Sequence, residues 1–181
     1  MTQGQLALSE SPTADARAYA RAVEAKDTLA LRLMGALGEA VGTPSDQAEG
    51  RSGGPAGAID VCRTQAPRIA AEVAQESGVR IGRTGVRLRN PANAAPAWAA
   101  PLLATRPTAP QALRAPDGTL GVILPIRLGS MCVACHGPAD TLAADVRTAL
   151  ATHYPADQAT GFQDGDLRGW FWIEVPPKSE G

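Results

Sequence analysis

Aromatic residues are scarce in this chain, at 4% of 181 positions, so no core of stacked rings can be built from them. Alanine-rich helices and aliphatic side chains must carry most of the packing. Strong charge of either sign is absent as well. The net charge of -1 provides no electrostatic case for nucleic acid or an anionic membrane as partner. No run reaches the roughly 18 apolar residues of a membrane-spanning helix, and Met1 to Ser9 lacks the basic start and apolar run of a signal peptide. The length is that of one domain with a real core. Histidine and cysteine are rare, with two and three copies, and three is an odd number for disulfides.

Those few residues are concentrated. Two of the three cysteines and one of the two histidines lie in Cys132-Val133-Ala134-Cys135-His136. This is C-x-x-C-H, the attachment pattern of a c-type haem. Each thiol S–H adds across a porphyrin vinyl group, so the two sulfurs must lie about one helical turn apart. The histidine that follows can place its imidazole under the iron as proximal ligand. One covalent haem c is therefore expected, and the porphyrin would add the apolar bulk that the side chains lack. The rival readings are a redox thiol pair and a zinc site. Zinc needs four ligands, which Cys62, Cys132, Cys135 and a histidine could supply. Haem attachment normally takes place outside the cytoplasmic membrane. We therefore expect a leader or anchor to have preceded the present sequence and the protein to be periplasmic or otherwise extracytoplasmic. Haem attachment would leave Cys62 without a disulfide partner, and burial as a small apolar side chain is the plain explanation.

Residues 1–10 read as disordered, 11–176 as one domain and 177–181 as a disordered tail. Ser11-Pro12-Thr13 looks like a helix start. Tyr19, Val23, Leu33, Leu37 and Val41 recur at helical spacing, with Leu29, Ala30 and Met34 filling in, which predicts a long helix over 13–41 ending at Gly42. Such a helix serves either plain packing or signalling and dimer contact. The Gly-, Ser- and Pro-rich segment 43–57 reads as a flexible loop. A helix over 57–77 places Ile59, Cys62, Ile69 and Val73 on one inward side. Strands are expected at 79–89, 111–116, 119–128 and 169–175, with a hairpin at Pro116-Asp117-Gly118. A short helix over 96–106 carries Trp98, Leu102 and Leu103. Another starts at Asp140 and Thr141, with Leu142, Val146 and Leu150 on one face, and stops at Tyr154-Pro155. Arg83, Arg87 and Arg89 form a cationic cluster that suits haem propionates or a solvated strand face equally well. Asp157, Asp166 and Arg168 read as residues that fix a loop.

Four separated blocks carry a family resemblance. They are Ala58-Ile59-Asp60-Val61-Cys62, the stretch from Arg83 through Asn90-Pro91-Ala92-Asn93, Cys132 to Gly137, and Tyr154 to Phe162 with Gly165-Asp166-Leu167-Arg168-Gly169. In order and spacing they resemble the haem c-binding PAS-like sensor domain, found alone in cyanobacteria and as the sensory part of bacterial membrane signalling proteins. The resemblance covers roughly residues 15–175. It implies an α+β (α/β) fold, an antiparallel sheet flanked by helices with the haem against it. It also implies iron ligation by the motif histidine and a distal cysteine, here His136 and Cys62. The chain departs from the pattern at Gly85, where a small hydroxyl residue is expected, and beside Trp98, where Ala97 and Ala99 replace an acidic neighbour.

The inward side predicted for Cys62 agrees with a distal role. Met34, His153 and an empty distal position are the alternatives, since Met131 abuts the attachment site. A redox or gas sensor responding to CO or NO is the favoured function. An electron carrier and a haem enzyme of sulfur-compound oxidation are the alternatives. No general base or substrate pocket marks an enzyme. The partners to expect are the haem, a gaseous ligand or redox protein, and a second copy of the chain through the long helix.

Overall fold

The computed structural model describes residues 12–177, and side chains from Asp15 onward. The expectations for residues 1–10 and 178–181 lie outside the described residues. Helix α1 (Pro12–Val41) ends at Gly42, whose φ of 63° is the left-handed stop a glycine supplies without strain. Its buried ladder is Ala22, Ala25, Leu29 and Leu33 at spacings of three and four. Of the expected stripe Leu29 and Leu33 are fully buried, and Tyr19, Val23 and Ala30 pack partly buried against the same core. Alanines let the helix lie close to the sheet, and the larger Leu31 and Met34 face out.

The segment expected as a loop holds a short helix, α2 (Pro44–Ala48), capped by a reciprocal Thr43–Asp46 box with proline in its first turn. A continuous helical run follows from residue 54 to 77, made of α3 (Gly54–Asp60), one π turn (Val61–Gln65) and α4 (Ala66–Ser77). The π turn has a local cause. Pro67 lacks an N–H and would press on the carbonyl four residues back in a regular helix. Widening the turn makes Ala66 N–H donate to Val61 O instead, and Thr64 Oγ1 covers Asp60 O at 2.9 Å. Cys62 sits inside this turn.

Four strands form one antiparallel sheet in the order β1 (Arg80–Gly85), β4 (Leu167–Val175), β3 (Leu120–Arg127), β2 (Gln111–Arg114). All four expected strands are present. The hairpin turns at Gly118, φ 83°, where Asp117 Oδ1 accepts from Thr119 N. One sheet face carries Ile81, Val122, Leu124, Phe171, Ile173 and Val175 against α1 and α4, and this is the main core. The other carries Ile123 and Trp170, covered by Trp98 and the short helix α5 (Ala100–Ala104). Trp98 Nε1 donates to the buried carboxylate of Glu174 at 2.7 Å, so the acidic partner missing beside Trp98 in the chain comes from β4.

Strand β1 stops four residues earlier than expected. Beyond Gly85 the in–out alternation is lost: Arg87 and Arg89, which would share a face in a strand, are exposed and buried respectively. A Cβ at Gly169 would overlap Thr84 O and Gly85 Cα, so β1 and β4 approach too closely there for the ladder to continue with ordinary residues. After β3 the chain turns through one 3-10 turn (Ser130–Cys132) into α6 (Val133–His136). Helix α7 (Ala144–His153) starts later than Asp140, with Asp145 Oδ1 accepting from Val146 N. Among the described residues no helix is long and apolar enough to cross a membrane.

Candidate cofactor site

The site is assembled from three places: the π turn, the end of β1, and the segment from α6 to the start of β4. The C-x-x-C-H motif is helical, as its spacing requires. Cys132 and Val133 pack on Leu128, Ala159 and Phe162, whereas Cys135 packs with Ile59, Leu142, Val146, Leu150 and Tyr154. Cys135 Sγ–H donates to Pro55 O at 3.6 Å, which ties the motif to the start of α3. All three cysteines are free thiols and half-buried.

Segment 157–162 is laced onto the motif. Gly161 N donates to Gly137 O at 2.7 Å and Phe162 N to His136 O at 2.9 Å. His136 Nδ1 is 2.7 Å from Ala159 O, and a carbonyl can only accept, so the proton sits on Nδ1. That leaves the Nε2 lone pair available to a metal, the usual arrangement of a ligating histidine with its second nitrogen held by a carbonyl. Among the described residues Nε2 has no hydrogen-bond partner. The Phe162 ring stands edge-on to the imidazole, with centroids 6.4 Å apart. Burial, reinforced by Arg89 and Arg168, pushes His136 down to about 3, so the ring is neutral at ordinary pH.

Cys62 faces the same surroundings. Burial raises its thiol, while Arg83, Arg89 and Arg168 pull the other way, and it also feels Cys132. His136 feels the same three arginines. Tyr154, a residue whose role the sequence did not disclose, is raised by burial and by Cys62. The distal alternatives are placed elsewhere: Met34 is 41% exposed on α1, and His153 is exposed at the end of α7. Among the described residues no three Cys, His, Asp or Glu side chains are grouped to hold one metal ion, so the four-ligand zinc arrangement has no geometric support.

The arginines divide by their partners. Arg89 is 7% exposed and makes three hydrogen bonds: Nε donates to Asp157 Oδ2 at 3.0 Å, and Nη2 donates to Cys135 O at 2.6 Å and Ala159 O at 3.3 Å. Arg87 stacks on Phe162, 4.1 Å from the ring centroid. Arg83 lies on the helix-covered sheet face, opposite Phe171 in register, and its guanidinium makes no hydrogen bond or ion pair among the described residues. Arg168 was expected only to fix a loop. It is the extra residue of a β-bulge, because Ile126 pairs with Gly169 and Arg127 with Leu167. A bulge re-aims a side chain. Arg168 Nη1 reaches Arg87 O at 3.0 Å, and its buried Nε has no partner. Burial and the neighbouring arginines lower its guanidinium to about 10. Of these four arginines only Arg89 is bonded to a carboxylate, Asp157, and among the described residues Arg83 and Arg168 have no acidic side chain in contact.

Arg83 and Arg168, two cations with no carboxylate in contact among the described residues, stand beside a histidine with a free Nε2 and three free thiols, a set that fits a covalently held haem. Cys132 and Cys135 could take the vinyl groups, His136 and Cys62 the iron, and Arg83 and Arg168 the propionates. A family model described as Tll0287-like matches residues 6–176. The chain belongs to the Tll0287-like family. Among solved structures, the crystal structure of the cyanobacterial heme-protein Tll0287 is similar, with a TM-score of 0.63 and 21% identity over 94% of this chain and 99% of that one. At that identity the likeness shows the fold: the Tll0287-like chain has the same mixed architecture of a long N-terminal helix and a four-stranded antiparallel sheet. No curated protein matches the sequence.

Proposed function

We propose that this protein binds one haem c and serves as an extracytoplasmic redox or gas sensor. A relative by fold is a heme-protein, and the chain's own donor set fits the group. When bound, such a haem supplies an iron that changes between ferric and ferrous states and takes small ligands such as CO or NO. Cys132 and Cys135 provide the thioether sulfurs, His136 the proximal nitrogen and Cys62 the distal sulfur. Arg83, Arg168 and Arg87 would hold the propionates. Arg89 is left to its protein contacts.

The observation that carries the reading is the shared neighbourhood of Cys62 and His136. Both feel Arg83, Arg89 and Arg168, although 74 positions separate them in the chain. Cys62 also occupies a π turn, an irregularity found often at functional sites. Positive charge from three arginines favours the thiolate that ferric iron prefers, and burial favours the neutral thiol. These opposing pushes would let the residues around Cys62 tune its sulfur between thiolate and thiol, with the π turn carrying the sulfur.

The test is Cys62→Ala beside Met34→Ala. Cys62→Ala should keep the haem covalently attached through acid–acetone extraction, lose thiolate features from the ferric spectrum and raise the reduction potential. Met34→Ala should change neither spectrum nor potential. The reverse pattern would make methionine the distal ligand and electron transfer the better function.

A further inference from the structure

The clamp formed by Arg89 and Asp157 makes no hydrogen bond to a cysteine sulfur or to the imidazole, yet it holds the carbonyl that binds His136. Asp157 Oδ1 accepts from Ala159 N at 2.7 Å, which fixes the turn presenting Ala159 O. Asp157 Oδ2 accepts from Arg89 Nε at 3.0 Å. Arg89 Nη2 donates to Ala159 O, the same oxygen that accepts from His136 Nδ1, and to Cys135 O inside the motif. Gln158 N donates to Leu88 O, so the clamp is seated on the chain leaving β1. Both charged side chains are nearly inaccessible, at 7% and 9%.

We propose that Arg89 and Asp157 are positioning residues that set the electron-donor strength of His136, and with it the reduction potential of the iron. The inference rests on the haem reading above. An acceptor on Nδ1–H strengthens an imidazole as a ligand and stabilises ferric iron. The second donor, Arg89, shares that acceptor and draws on it, so His136 is held in place while its donation is restrained. The two charges act in opposite senses. Arg89 disfavours the more positive ferric site and Asp157 favours it, and weak screening in a buried site keeps both effects large. The pair is close to neutral, so the wild-type potential lies between those of the two single variants.

The experiment measures midpoint potential and melting temperature of the haem-loaded protein. Asp157→Asn keeps the shape and the acceptor for Ala159 N, removes the negative charge, and should shift the potential upward. Arg89→Gln removes the positive charge and frees Ala159 O for His136, and should shift it downward. The double variant should return towards wild type because the opposite shifts cancel, whereas two kinds of structural damage would not offset each other. If Asp157→Asn does not fold, Arg89→Lys keeps the charge but not the fork and should still shift the potential downward. Lower melting temperatures with an unmoved potential, or two single variants shifting the same way, overturn the proposal. A wild-type protein from which haem extracts freely overturns the haem reading and the clamp's role with it, a failure visible before any variant is made.

Discussion

The two ends of the sheet are built on opposite principles. Under α1 and α4 the sheet is regular and apolar. Val122 and Ile173 are wholly inaccessible, Val175 nearly so, and every strand pair keeps register. Where β1 and β4 leave the ladder, regularity fails three times in a small volume: a π turn at Cys62, a β-bulge at Arg168, and a close glycine pair at Gly85 and Gly169. Positive charge collects there: Asp157 is bonded to Arg89, and among the described residues Arg83 and Arg168 have no carboxylate in contact. A region built only for stability would not keep Arg168 Nε buried without an acceptor, because an unsatisfied donor costs about 1–3 kcal/mol. The difference teaches that the first region supplies the fold and the second is held by it.

That contrast can be broken experimentally. The largest effect belongs to Cys132→Ala with Cys135→Ala, which should abolish acid-stable haem altogether while a haem-free protein keeps its fold, because neither thiol lies in the main core. Leu29→Ala or Ile173→Ala should do the reverse, lowering stability in urea by about 2–5 kcal/mol with an unchanged haem spectrum. Next comes pH. In the haem-free chain His136 has a folded value of about 3 against an ordinary 6.5, so the unfolded state binds more protons between those values. Stability from this group is intact above pH 6.5 and declines by up to about 1.4 kcal/mol per unit as pH falls towards 3. Urea unfolding at several pH values checks this, and His136→Gln should flatten the slope. Arg168→Gln is smaller still: less than about 1 kcal/mol in stability, since a buried unsatisfied donor is removed, but a measurably lower midpoint potential.

The regular region was more legible in the sequence than the site. The Pro-Asp-Gly turn and the alternating strands fall where periodicity puts them, because one buried face imposes period two. On α1 the large residues show only part of the stripe: Leu29 and Leu33 are buried and Tyr19 packs at the edge of the core, but its close contact also needs Ala22 and Ala25, which size does not distinguish from other alanines. Helix α2 was hidden by its glycine- and serine-rich neighbours, although Thr43-Pro44 with Asp46 is a complete capping signal. At the site, C-x-x-C-H announced itself through local spacing. Arg168, Tyr154 and the engagement of Arg89 did not, since bulges and clamps depend on which carbonyl arrives from a distant segment. Arg83, Arg87 and Arg89 look alike in the chain. Only the fold separates an unpartnered cation from a stacked one and a buried, clamped one.

The central claim is that Cys62 and His136 share one iron. Electron-resonance spectroscopy of the ferric wild-type protein, read beside its optical spectrum, tests it most directly. Low-spin ferric iron with one thiolate and one imidazole axial ligand is the expected signature, lost in Cys62→Ala. A ferric spectrum of histidine–methionine type, unchanged by that substitution, would contradict it.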